Sequence, residues 1–142
     1  MHVNPYLNFD GRAEEAIAFY QKAVGAKVTA MVRFKDQPKS DAGCPGGVMP
    51  PETDNKVMHV TMEMGSSTVM ASDCHCTGKP NFTGISLALA VRDPAECDRV
   101  FTNLAEGGKV CVPLGKTFFS SSFGVLTDRF GVTWMVMVPQ PC

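Results

Sequence analysis

Apolar positions along this chain follow two rhythms that alternate twice. Val3, Leu7 and Phe9 fall on every-second positions, which predicts a half-buried strand over 3–9. Asp10-Gly11 interrupts it. Ala13, Ala16, Ile17, Tyr20, Ala23 and Val24 then recur with a 3.6-residue period, predicting a helix over 12–24 with Gly25 as its left-handed cap. A strand follows over 28–34, and a hairpin pairs 56–64 with 68–72 around Gly65-Ser66-Ser67.

The second half repeats the plan. A strand is expected over 84–91. Asp93-Pro94-Ala95-Glu96 then supplies an N-cap, a proline in the first turn and an acid three residues after the cap. Val100, Phe101, Leu104 and Ala105 form the buried stripe, Gly107-Gly108 ends the helix, and an extended segment covers 109–114. A last hairpin pairs 121–127 with 133–138 around Asp128-Arg129-Phe130-Gly131.

The repetition is visible in the residues themselves. FYQKAVGAKV (19–28) and FTNLAEGGKV (101–110) share Phe, Ala, Gly, Lys and Val at a constant offset of 82, as do Ala13-Glu14 and Ala95-Glu96. Gly65 and Gly131 match at an offset of 66, which aligns His59 and Glu63 with Val125 and Arg129. The difference is an insertion in the first copy, the Pro- and Gly-rich segment 35–55, a surface loop or a lid. Each copy is thus a β-α-β-β-β module whose sheet has one face under a helix. The class expected is α+β, with two tandem modules (1–73 and 84–139, joined by connector 74–83) forming a curved mixed sheet around a cavity.

Composition narrows the function. Net charge is −1, which offers nothing to nucleic acid or anionic lipid. No apolar run approaches the ~20 residues that span a bilayer, and MHVNPYLNF lacks the basic and apolar regions of a signal peptide. A cytoplasmic protein is expected, so the six cysteines do not argue for disulfides. Cys97 and Cys111 sit in apolar patterns as small buried residues, while nine methionines suit an adaptable core or pocket.

The modules, Phe19-Tyr20 with Gly25, and Asp128-x-x-Gly131 before the last strand resemble the vicinal oxygen chelate superfamily of glyoxalases, extradiol dioxygenases and bleomycin-resistance proteins. Pro5-Tyr6-Leu7-x-Phe9-x-Gly11, Val57-Met58-His59, Met70 to Asp73 and Leu126 to Trp134 resemble its PhnB-like branch, across nearly the whole chain. The resemblance implies the glyoxalase-like fold and a homodimer, but no particular reaction. That branch carries a 3-demethylubiquinone methyltransferase label, yet no glycine-rich nucleotide loop follows a first strand here.

Metal-dependent members of the superfamily place His or acidic ligands on the first and last strand of each module. Those places fall at Asn4-Pro5, Ser86-Leu87, Met135 and Val69 or Met70, none of them an imidazole or carboxylate. The usual metal site is therefore expected to be missing, with no cofactor; the alternative is a divalent ion on substitute ligands. His59 and Glu63 share one face of their strand with Thr61 between them, as two ligands or as a base and its orienting partner, or merely as a hydrogen-bonded His and a surface Glu. Cys74-His75-Cys76, joined by Cys44, is a second candidate, but C-x-C is not common zinc spacing and the segment reads as a connector.

Alternation places Tyr6 and Asn8 opposite Leu7 and Phe9, toward the cavity. Tyr6 suits proton donation and Asn8 suits holding an oxygen. Ser120, in a Ser-Ser-Ser run, Ser86 and Met135 complete the ligand-binding candidates, each with a packing alternative. The reading is a small-molecule-binding homodimer; the alternative is a lyase, isomerase or transferase using His59, Glu63 and Tyr6.

Overall fold

A computed structural model describes residues 1–36, 55–73 and 81–139. Two compact units divide the chain, Met1–Asn81 and Phe82–Cys142. In unit 1, β1 (Tyr6–Asn8) leads through α1 (Ala13–Val24) to β2 (Lys27–Arg33), a short 3-10 turn (Phe34–Asp36), β3 (Val57–Met64) and β4 (Ser67–Ser72). Unit 2 repeats this with β5 (Ser86–Ala90), α2 (Pro94–Ala105), β6 (Lys109–Gly115), β7 (Ser120–Thr127) and β8 (Thr133–Pro139). The sheets run β1-β4-β3-β2 and β5-β8-β7-β6, with the first strand of each parallel to the last and the other pairs antiparallel. The fold is α+β with two four-stranded mixed sheets, and the expected order of elements holds.

One face of each sheet is apolar and lies under its helix. In unit 1, Leu7, Phe9, Val60, Met62, Val69 and Ala71 are buried with Ala16, Ile17 and Tyr20 of α1. In unit 2, Leu126, Trp134 and Val136 are buried with Cys97, Val100, Phe101 and Leu104 of α2. Gly124 lies on that face, where a Cβ would stand 2.7 Å from the Phe101 ring. Burial raises the Cys97 thiol pKa, with the Ser122 side chain acting in the opposite direction. Cys111, expected to be buried, is exposed on edge strand β6.

The first strand is shorter than expected. Val3 is exposed, and pairing is limited to Tyr6–Asn8 with flanking bonds from Met70 N–H to the Pro5 carbonyl and from Phe9 N–H to Ser72. Pro5 has no N–H with which to extend the ladder. The chain then turns at Asp10 (φ 55°) and Gly11 (φ 110°), with the Asp10 N–H bonded to Asn8 Oδ1.

The helices start differently. Asp93 caps α2 by accepting the Glu96 N–H at 2.8 Å, as expected, and Glu96 accepts from Arg92 in return. Arg12 provides α1 with no side-chain cap. The fully buried Asp73 carboxylate at the end of β4 accepts from Gly11 N–H (2.8 Å), Ala13 N–H (2.7 Å) and Val57 N–H (3.1 Å). One side chain thus ties the start of α1 to both central strands. Asp128 fastens the unit 2 hairpin: it accepts from Phe130 and Val132 N–H and from Trp134 Nε1–H at 2.9 Å.

Strand pairing corrects one alignment. Thr61 faces Met70 as Val125 faces Met135, so the unit 2 counterparts of His59 and Glu63 are Phe123 and Thr127, not Val125 and Arg129. The β7–β8 turn is longer than the β3–β4 turn, so matching Gly65 to Gly131 shifted the register. Both edge strands bulge at one repeat position, around Thr29 in β2 and Cys111 in β6, so the duplication preserved the irregularity as well.

Asp73→Ala strands three buried N–H groups and is expected to cost about 3 kcal/mol or more in urea unfolding, with Asp73→Asn intermediate. Trp134→Phe, losing the Asp128 bond, is expected to cost about 1–2 kcal/mol by the same measurement. In native protein, Cys97 resists alkylation that Cys111 accepts, and peptide mass spectrometry reads this directly.

Candidate functional site

The sheet face away from α1 carries the polar residues of unit 1. Its rows are set by register: Tyr6, Met70, Thr61 and Ala30 lie side by side across the four strands, with Asn8 beside Ser72 and His59 beside Val32 in the next rows. Alternation puts Tyr6 and Asn8 on this face because Leu7 and Phe9 are buried on the other. Tyr6 is 50% exposed, while His59 and Thr61 are half-buried.

Three of these side chains form a hydrogen-bonded chain. Tyr6 Oη lies 3.0 Å from His59 Nδ1, and His59 Nε2 lies 2.9 Å from Thr61 Oγ1. The Tyr6 and His59 rings stand 5.6 Å apart, inclined at 40°. The imidazole is thus held at both nitrogens between two hydroxyls, spanning β4 to connect β1 with β3.

The other sequence candidates are distributed differently. Glu63 is exposed on the same face, paired across strands with Lys27. Four residues of strand put it about 13 Å from His59, so Thr61 occupies the orienting place considered for Glu63. Asn8 is half-buried, and its side-chain oxygen is engaged by the turn at Asp10. Ser120 is fully buried, with its hydroxyl between the Ser122 and Val138 carbonyls. Ser86 is exposed at the start of β5, and Met135 is half-buried on the open face of unit 2. Cys44, Cys74-His75-Cys76 and most of segment 35–55 lie outside the described residues.

Thr61 is the residue sequence reasoning passed over. Alternation between His59 and Glu63 already placed it on their face; as a neutral residue it gave no further signal.

The open face of unit 2 is chemically different. The row equivalent to Tyr6-Met70-Thr61-Ala30 is Ala88-Met135-Val125-Val112, and Phe123 replaces His59. Phe119 packs edge-on against Phe123, ring centroids 5.0 Å apart. Of the superfamily's metal positions, Val69 is buried under α1 and Met70 and Met135 are thioethers on open faces. Among the described residues, no three His, Cys, Asp or Glu side chains are grouped to hold an ion.

The family described as 3-demethylubiquinone-9 3-methyltransferase matches residues 1–137. This chain belongs to that family. Its likeness to protein YjdN of Escherichia coli is 37% identity over 97% of this chain and 95% of that one. The crystal structure of protein PA1353 from Pseudomonas aeruginosa is similar at 40% identity with a TM-score of 0.82, covering 99% of both chains. A putative 3-demethylubiquinone-9 3-methyltransferase, PhnB protein, from Bacillus cereus is 29% identical with a TM-score of 0.75, over 97% of this chain and 99% of that one. The fold extends to a glyoxylase/bleomycin resistance protein/dioxygenase domain from Frankia, at 14% identity and a TM-score of 0.62, over 98% of this chain and 95% of that one. The family is therefore PhnB-like and the fold that of glyoxalase and bleomycin-resistance proteins. No helix among the described residues is long and apolar enough to cross a membrane.

Removing either hydroxyl frees one imidazole nitrogen. Ring ¹⁵N NMR of Tyr6→Phe is expected to show a changed His59 tautomer balance, whereas Glu63→Gln leaves it as in the parent protein.

Proposed function

We propose that this chain is a small-molecule-binding protein of the glyoxalase/bleomycin-resistance type, acting as a cytoplasmic homodimer without the superfamily's usual metal ligands. The observation that supports it is the Tyr6–His59–Thr61 chain, held on a sheet face that the unit's own helix leaves uncovered. The hydroxyls and imidazole supply directional contacts, and Met70 beside them supplies an adaptable apolar surface. Tyr6 and His59 are the principal binding residues. Asn8, Ser86 and Met135 are secondary, and Ser120 contributes through packing.

A second reading has one observation in its favour. An imidazole between two hydroxyls is the geometry of general acid–base chemistry, with Tyr6 or Thr61 as the group activated by His59. It supports a lyase, isomerase or transferase. The methyltransferase description of the family gains nothing specific from these residues.

Native protein is expected to release a small organic molecule on denaturation, detectable by mass spectrometry and absent from His59→Ala. Elemental analysis is expected to find only traces of divalent metal. A stoichiometric metal that disappears with His59→Ala contradicts the binding reading and supports the enzyme.

A further inference from the structure

We infer that the ligand group seated against Tyr6 and His59 is an uncharged carbonyl or hydroxyl oxygen, and that the Tyr6–His59–Thr61 chain reverses its hydrogen-bond direction to meet either. This rests on the binding reading above and specifies its ligand class.

Strand register surrounds the three side chains with uncharged neighbours. The residues paired with Tyr6, His59 and Thr61 across the sheet are Met70, Val32 and Ala30, all uncharged. Among the described residues, the charged cross-strand pair on this face, Lys27 with Glu63, lies toward one end and is itself neutral in sum. Arg33 is engaged by Glu14 on α1, at 2.9 Å. A carboxylate or phosphate bound at Tyr6 would lose water without gaining a cation in the adjacent rows.

The reversal follows from the nature of the flanking groups. A neutral imidazole has one donor and one acceptor nitrogen, and a carboxylate or carbonyl neighbour would fix which is which. Here both neighbours are hydroxyls, each able to donate or accept. In one state Thr61 donates to Nε2, Nδ1–H donates to Tyr6 Oη, and the phenol hydrogen points to a ligand carbonyl. In the other, a ligand hydroxyl donates to Tyr6 Oη, the phenol donates to Nδ1, and Nε2–H donates to Thr61. Both states leave the chain neutral and every bond satisfied, so exchanging them creates no buried charge. Thr61 is then a positioning residue: its hydroxyl donates a hydrogen bond to Nε2 in the first state and accepts one from Nε2–H in the second, while the ring proton itself leaves one nitrogen and arrives at the other by exchange with solvent water.

The full-length protein is titrated with acetophenone, 1-phenylethanol and benzoate, followed by backbone amide and histidine ring ¹⁵N NMR. His59 is assigned by loss of its signals in His59→Ala. Acetophenone and 1-phenylethanol are expected to perturb the open face of unit 1 with affinities within about threefold of each other, and benzoate to bind at least about tenfold more weakly. Acetophenone moves the His59 proton toward Nδ1, and 1-phenylethanol moves it toward Nε2. Thr61→Val is expected to abolish this ring response, while Thr61→Ser keeps it. Benzoate binding as tightly as the ketone overturns the inference, as does a ring response that is absent from the parent protein or survives in Thr61→Val. If no probe perturbs the open face of unit 1, the binding reading fails with it.

Discussion

The architecture of unit 1 depends on one buried carboxylate. Asp73 gathers three backbone N–H groups from the turn after β1, the first turn of α1 and the start of β3. Each group would otherwise face a low-dielectric interior unpaired, where the loss far exceeds what the bond contributes when made. Satisfying all three from the end of β4 fixes where α1 leaves the sheet, and hence which face α1 covers. The uncovered face inherits Tyr6, His59 and Thr61. Asp128 does related work in unit 2, where it binds two turn N–H groups and the indole of Trp134.

That division explains which features were legible in the sequence. Local signals were: α2 announces itself because Asp93 and Glu96 cap it within four residues, and Gly25 adopts the left-handed conformation its position suggests. Signals spread over distance were not. The cap of α1 arrives from 60 residues downstream, so nothing near Arg12 reveals it. Register is similar: matching turn glycines aligned His59 with Val125, whereas the hydrogen-bonded rows align it with Phe123. A glycine marks a turn but does not count its residues.

The candidate site was half legible for the same reason. Alternation put Tyr6 and His59 on one face, but only the parallel β1–β4 register brings the phenol across β4 to Nδ1. Glu63 looked like the partner of His59 because it is ionisable, yet strand spacing carries it away and Thr61 is in reach. Ser120 looked like an available hydroxyl and is instead buried and held between two carbonyls. The duplication thus kept the β-bulge and the helix-facing core while the open faces diverged, one toward hydrogen bonding and the other toward Met, Val and Phe.

Buried carboxylates thus hold each unit together, whereas the half-exposed Tyr6–His59–Thr61 chain is proposed to serve a ligand. Urea unfolding of His59→Ala beside Asp73→Ala tests this most directly. His59→Ala is expected to lose about 1 kcal/mol or less, the scale of partly exposed hydrogen bonds, and to unfold with an unchanged dependence on urea. A loss as large as that of Asp73→Ala would make the Tyr6–His59–Thr61 chain a structural fastening and contradict the account.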